Sequence, residues 1–438
     1  MVTQLILLAL FMALSVNATE SRIESMGKRD IFFRDDMSIF RNPAGIGVLG
    51  NFVTGSLGFV SDSKELVLNN PRLVTSVDTS ISCSTTTGGI FHPSTSQLVF
   101  DTSYQVKTGT PTNQWFGVVY NYELNPNFAL FGGAAFNRED DLLLFYNAQK
   151  NRRLYKTGTV FPDLKGKSDF ILGAHFGKIN AAAAYYHASQ EAKYQGTNDS
   201  TFGPSISLNR FNGGTEIGLG SHSLEIFGGI GQIIYSNTGE GFESALDIKE
   251  KTDNSLYLGS RLFFQTKIGG GIVFVPAVNY AKKAVFDSSI TIISGGIGGS
   301  YRLENGFFWC GMEWENYSAE NDSADIKESG QGMHFNFGIE KSLIWKWLIV
   351  RVGGHRYFGT REIEVGNIKT EEWVQNSEDS GLSDDLLGFG IGLNYQNRLR
   401  FDITFNEATP YFNPFGKGLE GSSNGGHMLL RISSTFSL

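Results

Sequence analysis

Residues 333–339 read MHFNFGI, and this stretch decides the fold. Its apolar side chains alternate one by one with polar or small ones. Because successive side chains of a β-strand point to opposite faces, the stretch predicts a strand with one apolar and one polar face. The same alternation recurs in residues 98–106, 256–264, 399–405 and 426–438. The sequence therefore predicts an all-β protein built from amphipathic strands.

Two architectures produce this alternation. A soluble sandwich buries the apolar face against a second sheet, whereas a transmembrane barrel turns that face to lipid and encloses the polar one. Strand candidates such as residues 256–265, 272–280 and 387–396 are longer than the usual strand of about five or six residues. Aromatic residues also cluster near strand ends, as interfacial girdles do. Both features favour the barrel.

The predicted fold is an antiparallel up-and-down transmembrane β-barrel of about 14 strands over residues 97–438. Gly (53 of 438 residues) is abundant and Pro is scarce, as in many strands joined by turns. Polar segments at residues 138–169, 236–251, 361–385 and 406–426 are predicted to be loops. The acidic segment 361–385 could hold Ca²⁺, but it lacks calcium-loop ligand spacing, so a solvated extracellular loop is favoured.

The first eighteen residues, MVTQLILLALFMALSVNA, carry no charged side chain and have the pattern of a secretory signal peptide. Their apolar core of about ten residues is too short to span a membrane as a helix. We therefore expect a signal peptide over residues 1–18 and export to a bacterial outer membrane. There the barrel would contact outer-membrane lipid and engage the assembly machinery through its last strand, 426–438. The formal charge of −8 argues against a nucleic-acid partner.

A short capped segment precedes the barrel. Asp35 and Asp36 can cap a helix over residues 37–41 by accepting hydrogen bonds from its first backbone amides. Pro43 disfavours the helical conformation at Asn42, so we expect the helix to end there. The sequence thus predicts a compact element that ends abruptly.

The residues that follow are small. Ala44 and Gly45 allow a close turn, in which Gly45 is free to take a positive φ. Residues 19–96 are therefore predicted to contain a hatch, or plug, and the first extended segments. This element resembles the hatch of the long-chain fatty-acid transporter (FadL) superfamily, which includes the PorV-type proteins of type nine secretion. The matching residues are Asp36, Ser38, Asn42, Pro43, Ala44 and Gly45.

The resemblance implies a barrel whose lumen is closed by an N-terminal hatch. Residues 131–146 and 387–405 also resemble strand pairs of that superfamily. Under this hypothesis the substrate is a hydrophobic or amphipathic small molecule bound in the lumen. Tyr257, Arg261 and Phe263 share one strand face and are candidate lumen contacts for it, with ordinary lumen packing as the alternative.

No catalytic motif is present. The sequence contains neither HExxH nor GxSxG, and its seven histidines are dispersed singly. Cys83 and Cys310 could form one disulfide, but the alternation around Cys310 predicts an outward position, which favours unpaired cysteines. No CxxC pair indicates a zinc site. We expect neither enzymatic activity nor a bound cofactor or metal.

Three functions remain open. The first is passage of hydrophobic or amphipathic small molecules through a plugged lumen. The alternative is a PorV-like barrel that docks or shuttles a secreted protein. The third is a passive porin, against which the hatch counts because a porin needs an open lumen.

Overall fold

The chain forms a single antiparallel sheet that closes on itself. A computed structural model describes residues 22–23, 25–26, 31–75, 96–143, 145–146, 164–191, 194–195, 201–240, 248–266, 271–286, 288–321, 326–343, 345, 347–365, 368–375, 386–395, 399–407 and 428–437. The predicted signal peptide and Cys83 lie outside these residues.

The described part of the chain contains nineteen strands. In chain order they are β1 (Phe52–Thr75), β2 (Ser96–Asn125), β3 (Phe128–Phe136), β4 (Gly166–Phe176), β5 (Ile179–Glu191), β6 (Tyr194–Gln195), β7 (Thr201–Leu219), β8 (His222–Glu240), β9 (Ile248–Lys251), β10 (Ser255–Gln265), β11 (Val273–Val285), β12 (Ser288–Leu303), β13 (Gly306–Asn321), β14 (Ile326–Ser342), β15 (Leu348–Val365), β16 (Ile368–Gln375), β17 (Leu386–Tyr395), β18 (Leu399–Glu407) and β19 (Met428–Ser437).

These strands occupy 16 positions around the barrel. The short strands β6, β9 and β16 continue β5, β10 and β17, because each pair shares one neighbouring strand. Strand β1 closes the barrel by pairing with β19, from Phe52 opposite Ser437 to Val60 opposite Leu429. The predicted count of about 14 was wrong. It began at residue 97 and so left β1 with the hatch, although β1 belongs to the wall.

The apolar face of the strands points outward. On β14, Phe335, Phe337 and Ile339 are exposed, whereas His334 and Asn336 are buried inside. A sandwich would bury the apolar face, so this arrangement confirms the barrel. Cys310 is exposed on the outer face of β13, as predicted.

All four predicted loops contain strand residues: 166–169 belong to β4 and 406–407 to β18, and the overlap is larger in the other two. Residues 236–251 contain the end of β8 and all of β9, and residues 361–385 contain the end of β15 and all of β16. These strands continue beyond the apolar band. Their outer faces need not be apolar there, so the alternation that marks a membrane strand is lost.

The two ends of the barrel differ. At one end, which we call the short-turn end, two-residue turns join β4 to β5 and β7 to β8. Gly177 (φ 59°) and Gly220 (φ 74°) provide the positive φ that such turns require. Both β1 and β19 also terminate at this end, which faces the periplasm in bacterial barrels. The opposite end is the long-loop end.

Helical structure is short and lies inside the barrel. A first 3₁₀ turn spans Asp36–Phe40, a second spans Pro43–Gly45, and helix α1 spans Ile46–Leu49. Together with residues 22–23, 25–26 and 31–35 they make up the segment that we call the hatch. Among the described residues, no helix has the length and apolar character needed to cross a membrane.

Candidate functional site

The hatch begins with a capped 3₁₀ turn. The Asp35 side chain accepts a hydrogen bond from the Met37 amide, and the Ser38 hydroxyl accepts one from the Asp35 amide at 3.1 Å. This reciprocal arrangement is a capping box. The predicted helix and its acidic cap are therefore present, as a 3₁₀ turn that starts one residue earlier than predicted.

The helical backbone resumes at Pro43. Proline is tolerated at the first position of a helical turn, because its missing amide would have no partner there. Gly45 consequently takes an ordinary helical φ of −59°. The predicted positive φ at Gly45 was wrong, and in the hatch it occurs at Gly50 (φ 82°), just before β1.

Asn42 attaches the hatch to the wall. Its side-chain oxygen accepts from the Ala44 amide at 3.2 Å, and its side-chain nitrogen donates to Glu225 Oε2 at 3.2 Å. A Cβ at Gly214 would overlap the Asn42 side-chain oxygen. The motif Asn-Pro-Ala-Gly thus caps a turn, and its Asn42 side chain occupies the space that Gly214 of the wall leaves by lacking a Cβ.

Ion pairs bind this side of the hatch to β7, β8 and β10. Arg34 pairs with Glu216 and, at 2.9 Å, with Glu225. Arg261 pairs with Glu225 at 2.6 Å and donates to the Phe33 carbonyl at 3.0 Å. Since all these groups are largely buried, each charge depends on its partners.

A second ion network binds the hatch to the opposite wall. Arg22 pairs with Asp35 at 2.7 Å and with Glu340 of β14 at 3.0 Å. Glu340 also pairs with Arg351 and Arg400, and both of these pair with Asp402. Burial raises the pKa of Asp35 to about 7, although Arg22 opposes the shift.

Apolar side chains fill the remaining space around the hatch. Phe33 packs on Trp309 with ring centroids 5.0 Å apart, and Phe40 meets Trp115 edge to face at 5.5 Å. Ile39 and Ile46 are buried in the same cluster as Trp115. The hatch therefore contacts the wall in the short-turn half of the barrel through apolar packing as well as through ion pairs.

A second element enters the lumen beyond the hatch. Residues 137–143 and 145–146, which we call the inserted segment, follow β3 and contain a short helical turn. Leu142, Leu143 and Tyr146 are buried against inner-face side chains of β5, β7, β8 and β11. The prediction that residues 131–146 form a strand pair was wrong, because the strand ends at Phe136 and the chain then turns inward.

Charged groups fix the inserted segment. Arg138 donates two hydrogen bonds to Asp169, at 2.8 and 3.1 Å. Asp140 accepts from the Leu142 amide at 2.9 Å and pairs with Arg210 at 2.5 Å. Burial alone would raise the pKa of Asp140, but Arg210 and Arg138 outweigh it and lower that pKa to about 2.

A cavity of about 520 Å³ lies between the hatch and the inserted segment. Its volume falls in the range of small-molecule sites, roughly 300–1,000 Å³. Hatch, inserted segment and wall all contribute to its lining. The lining includes the side chains of Phe40, Arg41, Arg138, Asp140, Asp141, Leu142, Arg210, Phe227, Tyr257, Ala281 and Lys283.

The three predicted lumen contacts separate. Tyr257 lines the cavity and donates to the Arg41 carbonyl at 3.0 Å. Arg261 and Phe263 face the lumen on the same strand face, as predicted, but they pack against the hatch. Phe263 lies under Arg34, at 4.3 Å from guanidinium carbon to ring centroid.

Sequence reasoning missed Arg138, Asp140, Arg210 and Lys283. The first two lie in residues 138–169, which the sequence predicts to be a loop. Arg210 and Lys283 occupy inner-face positions of β7 and β11, where a charged residue interrupts a strand of apolar and small residues. That interruption was the available signal for Arg210, because a charge within the apolar band of a membrane strand is costly on the lipid face. On β11 the signal was ambiguous, because the adjacent Lys282 lies on the opposite face.

No family model matches the chain, and no curated protein matches it. Solved structures resemble it. OmpT of Vibrio cholerae is 12% identical (TM-score 0.32; 88% of this chain, 99% of that one). The toluene transporter TodX of P. putida is 10% identical (TM-score 0.33; 97% and 99%). CdiB from Acinetobacter baumannii is 12% identical (TM-score 0.39; 86% and 66%).

The fold is that of an outer-membrane β-barrel. Similarity at this level concerns the fold and not the function. The resemblance of the hatch motif to the fatty-acid transporter superfamily therefore stays a prediction.

Proposed function

We propose that the barrel passes hydrophobic or amphipathic small molecules across the bacterial outer membrane, without catalysing a reaction. One observation carries this proposal: a cavity of ligand size lies in the lumen between two elements that each hold to the wall by ion pairs. A porin would need an open lumen, and the contacts of the hatch with both walls support a plugged one.

The lining supports the class of molecule. Phe40, Phe227 and Tyr257 offer aromatic surface, and Leu142 adds aliphatic surface from the inserted segment. Arginine side chains lie among them. A site that is apolar with a few polar groups binds molecules that are mostly apolar and fixes their orientation.

The test compares uptake of hydrophobic and amphipathic probes by cells that express the full chain with uptake after Ala281→Phe. Ala281 lines the cavity, so the larger side chain should block it and abolish uptake. The control is Ala183→Phe, which adds the same ring at an exposed, outward position of β5. Equal uptake by both variants would contradict the proposal.

Two further measurements separate the other functions. Free passage of small sugars through liposomes that contain the protein would indicate a porin. Co-purification of a secreted protein, in place of a small molecule, would indicate docking.

A further inference from the structure

The cavity lining carries more positive than negative charge. Arg41, Arg138, Arg210 and Lys283 line it, together with Asp140 and Asp141. Lys282 also lines it. With Asp169, which pairs with Arg138, and Asp253, which pairs with Lys282, the count is five cations and four carboxylates. The lining therefore favours a negatively charged occupant.

One of these cations stands apart. Arg138 is held by Asp169 and Arg210 by Asp140, but Lys283 makes no ion pair with any residue that the structure describes. Lys283 is half-buried on the inner face of β11, beside the small residue Ala281. A half-buried ammonium group gains most from a partner that enters with the ligand, and an anionic group is such a partner.

The three arginines of the lining lie against aromatic rings and present planar surfaces. The Arg210 guanidinium lies 4.4 Å from the Tyr257 ring centroid, Arg138 lies 4.1 Å from that of Phe40, and Arg41 lies 5.5 Å from that of Phe227. Guanidinium planes and aromatic rings both stack on planar π-systems. A saturated chain would gain only apolar burial from the same surfaces.

The cavity is also small. The hatch bounds it on one side and the inserted segment on the other, and a sphere of 520 Å³ is only about 10 Å across. That is the scale of a molecule with one or two fused rings.

We propose that this cavity selects a compact, planar aromatic molecule that carries one negative charge, with Lys283 binding the anionic group. This inference rests on the proposed transport function, because it names the substrate class of the same site. The arginine–aromatic stacks would hold the ring system, and Lys283 would set the preference for an acid over its neutral analogue.

The test measures binding to the purified full chain in detergent by calorimetry. The probes are 2-naphthoate, its neutral analogue 2-methylnaphthalene, and decanoate, an acid with a flexible chain. We expect 2-naphthoate to bind at least about tenfold more tightly than either of the others. Lys283→Gln should remove about tenfold of the 2-naphthoate affinity and leave 2-methylnaphthalene unchanged.

The matched control is Lys327→Gln. It changes an exposed lysine at the long-loop end of β14 that pairs with Glu320 at 3.7 Å. It should leave all three affinities unchanged. Retention of the folded barrel in every variant is checked by its heat-dependent shift on gels. A decanoate affinity equal to that of 2-naphthoate would overturn the planar ligand class, and an equal 2-methylnaphthalene affinity would overturn the role of charge.

These failures differ from failure of the transport proposal. If a flexible or neutral probe binds better and Ala281→Phe still blocks uptake, only the ligand class is wrong. If none of the probes binds, the ligand class is also wrong. If Ala281→Phe leaves uptake intact, the cavity is not the route and both proposals fall.

Discussion

Replacing Asn42 by Ala should loosen the hatch without harming the barrel. The substitution removes the hydrogen bond to the buried carboxylate of Glu225 and the cap on the Ala44 amide. A hydrogen bond to a charged group contributes about 1.5–3 kcal/mol, and a helix cap contributes about 0.5–2 kcal/mol. Glu225 keeps Arg34 and Arg261, so no buried charge is left alone. We expect a loss of about 2–4 kcal/mol in the free energy of hatch docking.

That loss raises the undocked population by roughly 30- to 1,000-fold, at about 1.4 kcal/mol for each tenfold. Hydrogen exchange of the hatch amides should accelerate, and ion conductance in planar bilayers should rise. The matched control is Asn125→Ala, which removes a similar bond to the Asn127 amide, 3.0 Å long, at an exposed turn. If hatch exchange and conductance in Asn42→Ala equal those of the control, Asn42 does not hold the hatch.

Three other changes should be measurable. Asp140 has a pKa lowered from 3.8 to about 2, so its ionised form stabilises the inserted segment in the lumen above about pH 4. About 2 kcal/mol of this stabilisation is lost as the pH falls to about 2. Hydrogen exchange of the amides of residues 138–143 should then become faster. Asp35 has a pKa raised from 3.8 to about 7, so the docked hatch binds a proton more tightly than the undocked one. Docking should strengthen as the pH falls from about 7 to 4, measured by exchange of hatch amides. Asp35→Asn should weaken that dependence without removing it, because burial also raises the pKa of Asp36. Deleting residues 27–45 should raise passive conductance and keep the barrel; a further deletion of residues 138–146 should raise it more, and unchanged conductance in both would refute the plug.

Most strands of the barrel wall could be predicted from the sequence. Alternation at period two identifies strands wherever one face meets lipid, as in β14 and β18, and it gives the correct face for Tyr257 and Arg261. It fails outside the apolar band because the pattern does not say which face is outside. On β7, Phe211 is exposed toward lipid, whereas Leu208, three residues further from the short-turn end, is fully buried inside. Both belong to one continuous strand.

The inserted segment was unpredictable for a related reason. Residues 138–146 read REDDLLLFY, which is charged at the start and apolar at the end. In a water-exposed loop this would be unremarkable, and no local rule directs it into the lumen. Its position depends on Asp169 and Arg210, which are distant in sequence and meet Arg138 and Asp140 only when the barrel closes. The capped turn Asp36–Phe40 was predictable because its capping signals are local.

The hatch is stable only as part of the barrel. Its 3₁₀ turns have five and three residues, far below the roughly 12–15 residues at which isolated helices become marginally stable. Two successive residues point to separate binding partners: Arg34 binds Glu216 and Glu225 of β7 and β8, and Asp35 binds Arg22, which is itself held by Glu340 of β14. The hatch therefore bridges the lumen between two walls. Release of the whole element would break both ion networks at once, and breaking a single buried pair costs about 3–5 kcal/mol. Under the proposed transport function, a substrate path is accordingly more favourable if one side of the hatch opens while the other remains bound. The Asn42 side is the better candidate, because it borders the cavity through Arg41 and because Arg34 is already partly exposed to solvent.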